Sequence, residues 1–518
     1  MIPADLNFDN EMDLVVTWSD SRNTYLQLVY KESDYSFDSK TPKWIVPSGF
    51  QPSLLDLNGD LRLDLVSNFE SVPNAQSIIL KSNYKNSDRP LKSFSSTHKN
   101  CLQVEDFNLT NPHSVAFVDL NNDCVADLFL TVDKNGVKSF QVWLNQRNGK
   151  YCFVWEDYPP EGTGQVSFAD IDRNGLEDMV FPVCTGKHCS KTKEIHIVYN
   201  FNNQDHSSES AFECEFSQES ISKDKFSLKD LGSSTQTQHK GIFKITEDKV
   251  SFFNEEPDYP FTARFGDLDL DGCPDMLLNL YEPSKGSDSA YIKAFRNQLC
   301  ENSEQVFGDW EDLKEIESIK GAFLGVFFDL DENGILDILI SSKHNGVYNT
   351  TSFYNNLLND HFHLKALALD GHSKQGYSSV YPGAVFKFTL IELDMTKVPV
   401  HATQLPQTAY NSLLTPFCVF GLGRTNSFIE EFHTALPVSG SGKVYKYQWT
   451  PIIPNSYLIV SPDPENNWFL ELFASPTEDI WVIVAMLLGC MVVIGVVILV
   501  KYFNEKANRP HKGIGPVI

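Results

Sequence analysis

DLDLDGCPD (267–275) is the stretch on which the reading of this 518-residue chain turns. Aspartate stands at its first, third, fifth and ninth places. The same plan recurs without gaps at DLNFDNEMD (5–13), DLNGDLRLD (56–64), DLNNDCVAD (119–127), DIDRNGLED (170–178) and DLDENGILD (329–337). Places one and nine are Asp in all six copies, and places three and five are Asp or Asn. The candidate metal ligands are therefore Asp5, Asn7, Asp9 and Asp13; Asp56, Asn58, Asp60 and Asp64; Asp119, Asn121, Asp123 and Asp127. The later copies add Asp170, Asp172, Asn174 and Asp178; Asp267, Asp269, Asp271 and Asp275; Asp329, Asp331, Asn333 and Asp337.

Alternating carboxylates in a tight loop suit a hard cation. Side chains at places one, three and five face one concavity, and the ninth carboxylate with a seventh-place carbonyl can complete an oxygen shell. That donor set fits Ca²⁺ better than Mg²⁺, which demands octahedral rigidity and keeps its waters. A lone run of Asp, Asn and Gly is an ordinary turn, but six copies in register are not. An EF-hand is excluded, because place twelve is Val16, Ser67, Leu130, Phe181, Leu278 and Ile340 instead of Glu. Place six is expected to take positive φ. Gly175, Gly272 and Gly334 meet that demand and Asn10 tolerates it. Leu61 and Cys124 suit it poorly, so the copies at 56 and 119 are expected to be the weaker sites.

Apolar segments flank the loops, such as VAFV (115–118) before one and LFL (128–130) after it. These read as buried strands, so each loop joins two strands of a hairpin. The unit recurs at intervals of 51, 63, 51, 97 and 62 residues, the length of a four-stranded blade. Blades arranged radially bury one another's faces, which predicts an all-β propeller over 1–365. The longest interval holds a polar stretch from Asn202 to Lys240, read as an insertion within one blade. After about residue 365 the acidic repeat stops. Strand-like runs at 384–393, 415–423, 443–452 and 456–462 predict an antiparallel β-sandwich-like domain over 366–475.

IWVIVAMLLGCMVVIGVVILV (480–500) has no charge and is long enough to cross a bilayer. Lys501, Lys506, Arg509 and Lys512 follow it, which places the tail 501–518 in the cytosol and the rest outside. The start, MIPADLNFDNEMDLVV, has no export signal, so the true N-terminus is expected to lie upstream. Sequons at Asn108 and Asn349 fit an extracellular glycoprotein. Of ten cysteines Cys490 lies in the span, and Cys184 with Cys189 is the expected short-loop disulfide. A net charge of −26 opposes nucleic-acid binding, which needs a basic footprint.

The six loops resemble the FG-GAP repeats of integrin α-subunit propellers. PGAVFKFTL (382–390), FGLG (420–423) and the strand near 453–460 resemble the ASPIC/UnbV module that accompanies such repeats. Together with QWTPIIPNSYLIV (448–460) and one C-terminal span, they resemble the integrin-alpha FG-GAP repeat-containing family. The resemblance implies a propeller of about seven blades with structural calcium. It also implies a type I membrane or shed glycoprotein that modulates T-cell responses by contact with an extracellular or cell-surface protein.

A catalytic alternative finds little support in the residues. HExxH, GxSxG and Walker patterns are absent; PVSGSGK (437–443) has Pro437 in place of the first Gly and is followed by Val444. Paired acids occur only in the loops. A non-enzymatic binding protein is therefore expected, with integrin-like adhesion and a propeller-associated hydrolase as alternatives.

Overall fold

The computed structural model describes residues 2–6, 12–33, 36–38, 43–57, 63–68, 78–82, 91–93, 109–146, 151–200, 241–247, 249–254, 260–301, 303, 305–356, 361–369, 371, 380–393, 395–405, 414–425, 428–436, 445–462, 468–474 and 479–508. The chain divides into two compact units, 1–473 and 474–518.

Six antiparallel sheets form in chain order in the first unit, one around each nonapeptide. In each, the strand before the loop pairs with the strand after it. The pairs are Ile2–Ala4 with Asp13–Ser19, Ser53–Leu55 with Asp64–Ser67, and Val115–Val118 with Asp127–Lys134. Ser167–Ala169 pairs with Asp178–Thr185, Ala263–Gly266 with Asp275–Tyr281, and Ala322–Phe328 with Asp337–His344. The register repeats too: the residue just before the first aspartate always faces the ninth, as in Val118 with Asp127 and Gly266 with Asp275. A third strand pairs with the second in every sheet, and five sheets carry at least one more. The sixth ends, among the described residues, at Val347–Phe353.

Apolar side chains on both faces of these strands bury sheet against sheet. Leu28 and Val15 of the first sheet share a core with Leu54 and Leu65 of the second. Val66 meets Phe117, Phe129 meets Met179 and Phe181, and Val180 meets Met276. Leu277 and Ile292 then meet Phe327 and Ile338. Each of the first five sheets is thus covered by its successor, at roughly 25 cal/mol per Å² of apolar area removed from water.

A recurrent asparagine joins the sheets further. It lies just beyond the third strand or at its last position, at Asn145, Asn200, Asn297 and Asn355. Its Nδ2 donates to the eighth-place carbonyl of its own loop: Ala126, Glu177, Pro274 and Leu336. In the last three the same Nδ2 also donates across to the preceding loop, at Leu120, Ile171 and Leu268, over 2.7–3.0 Å.

The polar insertion falls between strands Thr192–Val198 and Ile242–Lys244, which pair within the fourth sheet. Residues 201–240 themselves lie outside the described residues.

The C-terminal domain is a sandwich of two four-stranded sheets. One runs Cys418–Gly423, Phe362–Ala368, Ser456–Pro462, Trp468–Ala474; the other runs Lys397–Thr403, Val385–Ile391, Phe432–Leu436, Tyr445–Trp449. Phe386, Phe388, Phe420, Phe432 and Leu458 fill the space between them. Two expectations need correction. The sandwich begins with the strand at Phe362, not at 366, and it is not wholly antiparallel, because Phe362–Ala368 pairs in parallel with Ser456–Pro462. The reason is that these strands are joined by most of the domain and not by a hairpin; parallel neighbours require such a crossover.

The second unit contains one helix, Asp479–Ala507, with Val484–Ala507 apolar enough to cross a membrane by length and composition (mean hydropathy 2.7). It extends past the apolar run 480–500 through the basic flank.

Replacing Asn297, which is fully buried, by Ala leaves the Ile171 and Pro274 carbonyls without this donor. The expected cost is about 1–3 kcal/mol, read by chemical denaturation; a change within 0.5 kcal/mol would show that the asparagine bridges add nothing.

Candidate metal centre

The four loops described throughout are held by their own side-chain oxygens. At place one, Oδ1 accepts the place-five N–H: Asp119 from Asp123, Asp170 from Asn174, Asp267 from Asp271 and Asp329 from Asn333. Its Oδ2 accepts the place-six N–H, from Cys124, Gly175, Gly272 and Gly334, over 2.7–3.0 Å. At place five, Oδ1 accepts the place-seven N–H, from Val125, Leu176, Cys273 and Ile335. These bonds bend the backbone twice into the left-handed region. Place six has φ of 80° at Gly175, 92° at Gly272 and 86° at Gly334, and Cys124 takes 62° despite its side chain. Place four does the same at Asn122, Arg173, Leu270 and Glu332, with φ of 58–64°. The sequence reading missed that second bend.

The ninth aspartate works differently. Its Oδ2 accepts the place-two N–H in all six loops, from Leu6, Leu57, Leu120, Ile171, Leu268 and Leu330. In five loops its Oδ1 accepts an N–H near the end of the third strand, from Lys31, Asn145, Asn200, Asn297 and Asn355. One side chain therefore ties the loop's entrance to the sheet's third strand.

A carboxylate has about four lone-pair positions, so these bonds leave room for an ion. Ligand oxygens lie within 4.8 Å of one another in three groups: Asp170, Asp172 and Asp178; Asp267, Asp269 and Asp271; Asp329, Asp331 and Asp337. Among the described residues the loop at 119 forms no such group of three acidic side chains, its third place being Asn121. Of the loops at 5 and 56 only the end aspartates are described: Asp5, Asp13, Asp56 and Asp64, all buried. Asn7, Asp9, Asn58 and Asp60 lie outside the described residues, as does the sequon Asn108. Asn349 sits exposed on the outer strand of the sixth sheet, opposite Ser342.

The carboxylates are unfavourably placed without a cation. Burial, then the charge of neighbouring aspartates, holds Asp127, Asp170, Asp178, Asp267 and Asp275 well above the ordinary carboxylate range. Burial pushes Asp172 up to about 6, and burial with the Asp269 charge does the same to Asp271. Burial likewise lifts Glu177, at place eight of the fourth loop, to about 7. The Oδ1 of Asp172 is buried with no hydrogen-bond partner among the described residues. Such a donor set fits a hard divalent ion. The three groups are not equivalent. The Arg296 guanidinium lies 2.6 Å from Asp269 and 3.7 Å from Asp271. The Lys365 ammonium lies 2.6 Å from Asp329, both nearly fully buried. The group at 170, 172 and 178 has no comparable ion pair to a basic side chain among the described residues, so it is the one most in need of a cation.

The sandwich supplies many of the remaining partners. Tyr381 donates to Asp56 Oδ2 at 2.7 Å, and His401 Nε2 lies 3.2 Å from Asp119 Oδ2 with both side chains fully buried. Lys387 donates to Asn122, Thr403 N–H to Glu177, and Gly423 N–H to the Leu270 carbonyl. Arg173 pairs with Glu392 at 2.7 Å. The strand through Gly421 passes so close to the loop at 267 that a Cβ there would lie 1.9 Å from Asp267 Oδ2. Five of the six loops thus face the sandwich, which the sequence did not reveal.

Disulfides pin neighbouring structure. Cys184 and Cys189 are bonded with S–S 2.02 Å, and Cys273, at place seven of the fifth loop, is bonded to Cys300. Cys124 and Cys152 are each disulfide-bonded; among the described residues Cys418 and Cys490 are free thiols.

Residues 119–181 match a family model described as FG-GAP-like repeat, and residues 376–473 one described as ITFG1, C2 domain. The latter covers the sandwich except for its strand Phe362–Ala368, and includes the segments likened above to ASPIC/UnbV. T-cell immunomodulatory protein of Macaca fascicularis is 30% identical over 273 residues, covering 49% of this chain and 87% of the relative. The chain belongs to the T-cell immunomodulatory protein family. The Homo sapiens member is 28% identical over 542 residues, spanning 99% of this chain and 81% of its own length. A homologue from Plasmodium yoelii yoelii is also 28% identical, again across 99% of this chain. Neither family model describes a catalytic family.

The raised carboxyls give a signed pH dependence. A folded-state value above the unfolded 3.8 means the fold binds more protons than the unfolded chain, so this contribution is full below 3.8 and is lost as pH rises to about 6 and beyond. Metal-free protein is expected to melt at progressively lower temperature across that window. Saturating Ca²⁺ should flatten the decline, and Asp172→Ala should lower the bound stoichiometry by about one ion. Superimposable melting-versus-pH curves with and without Ca²⁺ would contradict the assignment.

Proposed function

We propose that this protein is a non-enzymatic, single-pass type I membrane glycoprotein whose ectodomain is a calcium-stapled scaffold for protein–protein contact, acting in modulation of T-cell or other immune responses. The packing of each of the first five sheets on the next supports a radial propeller closed around an axis. Ca²⁺ held by the aspartate loops is structural in this reading, and its removal returns mutually repelling carboxylates to a buried setting.

The observation that carries the reading is the commitment of the loop carboxylates. Those at places one and nine are engaged by backbone N–H groups, as is the place-five carboxylate or amide oxygen, and five of the six loops lie against the sandwich. Groups so occupied suit a framework better than substrate turnover or an open adhesion site. Contact with a cell-surface protein then falls to other surfaces, with the insertion at 202–240 the first candidate. The relatives' name supports the immune role, and the apolar helix supports anchorage at the cell membrane with the N-terminal unit outside.

Soluble protein comprising residues 1–474 is expected to bind lymphocytes saturably in Ca²⁺ and to lose that binding in chelator. Deleting 202–240 is expected to abolish it while the melting temperature holds. Binding unchanged by the deletion would remove the insertion from the contact surface. Turnover of phospholipid or glycan by the same preparation would overturn the non-enzymatic reading.

A further inference from the structure

A cavity of about 190 Å³ lies between the fourth and fifth loops and the sandwich strands Lys397–Thr403 and Cys418–Gly423. Phe168, Phe327 and Phe420 form much of its apolar wall, and Glu177, His401 and Arg264 bring polar groups to it. Those three are at most 4% exposed. Glu177 and His401 are each half-used. Glu177 Oε1 accepts Thr403 N–H, while Oε2 has no partner among the described residues. His401 spends Nε2 on Asp119, while Nδ1 has no partner among the described residues. Buried polar atoms are normally satisfied, so each such atom calls for an occupant. The space far exceeds one water, which needs about 10–15 Å³ by the same kind of measure.

Asp170 and Asp267 also reach this cavity, but they belong to the ligand groups of the loops, and among the described residues no group with ligand atoms within 4.8 Å of one another includes Glu177 or His401, so an ion in the loops leaves those two unsatisfied. The wall carries a carboxyl on one sheet, a guanidinium on the next and aromatic faces between. That combination matches a molecule with an ammonium at one end, a carboxylate at the other and an apolar body.

We propose that this cavity is a binding site for a small zwitterion of the α-amino acid class, its ammonium held by Glu177 and His401, its carboxylate by Arg264 and its side chain by the phenylalanine wall. The site is independent of the immune reading, and its test is run with Ca²⁺ saturating so that failure of the calcium reading would not mimic failure here.

The full chain in lipid nanodiscs is titrated with glycine, L-leucine and L-phenylalanine, and with phenethylamine and 3-phenylpropionate as single-charge halves. At least one amino acid should raise the melting temperature saturably, with each half at least about tenfold weaker, as expected when a buried charge partner is missing. Glu177→Gln, which keeps an acceptor for Thr403, and Arg264→Lys should each weaken binding about tenfold or more. Binding undiminished in both variants, or equally tight binding of phenethylamine, would overturn the proposal. If a variant fails to fold, crystals of the unaltered protein soaked in the three amino acids decide: a zwitterion spanning Glu177 and Arg264 supports it, and ordered water only overturns it.

Discussion

The ninth aspartate of each repeat is the constraint on which this fold depends. It is the first residue of its sheet's second strand, it faces the residue before the loop, and its carboxylate accepts N–H groups from place two and, in five sheets, from the third strand's end. A neutral amide there would replace an acceptor oxygen with a donor, directly against a backbone N–H. The requirement for Asp is therefore structural even before it is a matter of metal. In the four loops described throughout, the first aspartate has a parallel duty, pinning places five and six and enforcing the left-handed bends.

Such concentration of carboxylates carries a cost in repulsion and desolvation, and the molecule offsets it by more than one route. Arg296 answers Asp269 and Asp271 within its own sheet, and Lys365 reaches Asp329 from the sandwich's first strand while resting 4.0 Å from the Phe417 ring and 4.6 Å from Tyr457. A buried ion pair of this kind is weak evidence for added stability, but loss of one partner leaves an uncompensated charge. The sandwich is thereby tied to the loops by charge as well as by shape, as the approach of Gly421 to Asp267 shows. The repeat unit and the terminal domain are consequently not separable modules in the way the change of composition near residue 365 suggests.

Much of this was legible in the residues. The six hairpins follow from apolar runs on either side of each nonapeptide, and the convergence at 170, 267 and 329 follows the glycines at place six. Cys124 takes the left-handed bend that the residue type was expected to resist, and it donates to Asp119 as the glycines do to their own first aspartates. The bend at place four was not legible, because Asn122, Arg173, Leu270 and Glu332 share no chemistry; hydrogen bonds from place one impose it. The asparagine bridges could have been found: VWLN, IVYN, AFRN and SFYN each end in Asn at 18 or 22 residues after a ninth aspartate. The sandwich's contacts could not, since Tyr381 meets Asp56 across 325 residues and His401 meets Asp119 across 282, with no local pattern to mark either.

An anomalous difference map from crystals grown in Ca²⁺ bears on the central claim most directly. The account requires a peak within carboxylate-ligand distance of Asp170, Asp172 and Asp178, with Asp178 still accepting the Ile171 and Asn200 N–H groups. Featureless density there, with those side chains swung away toward solvent, would contradict it.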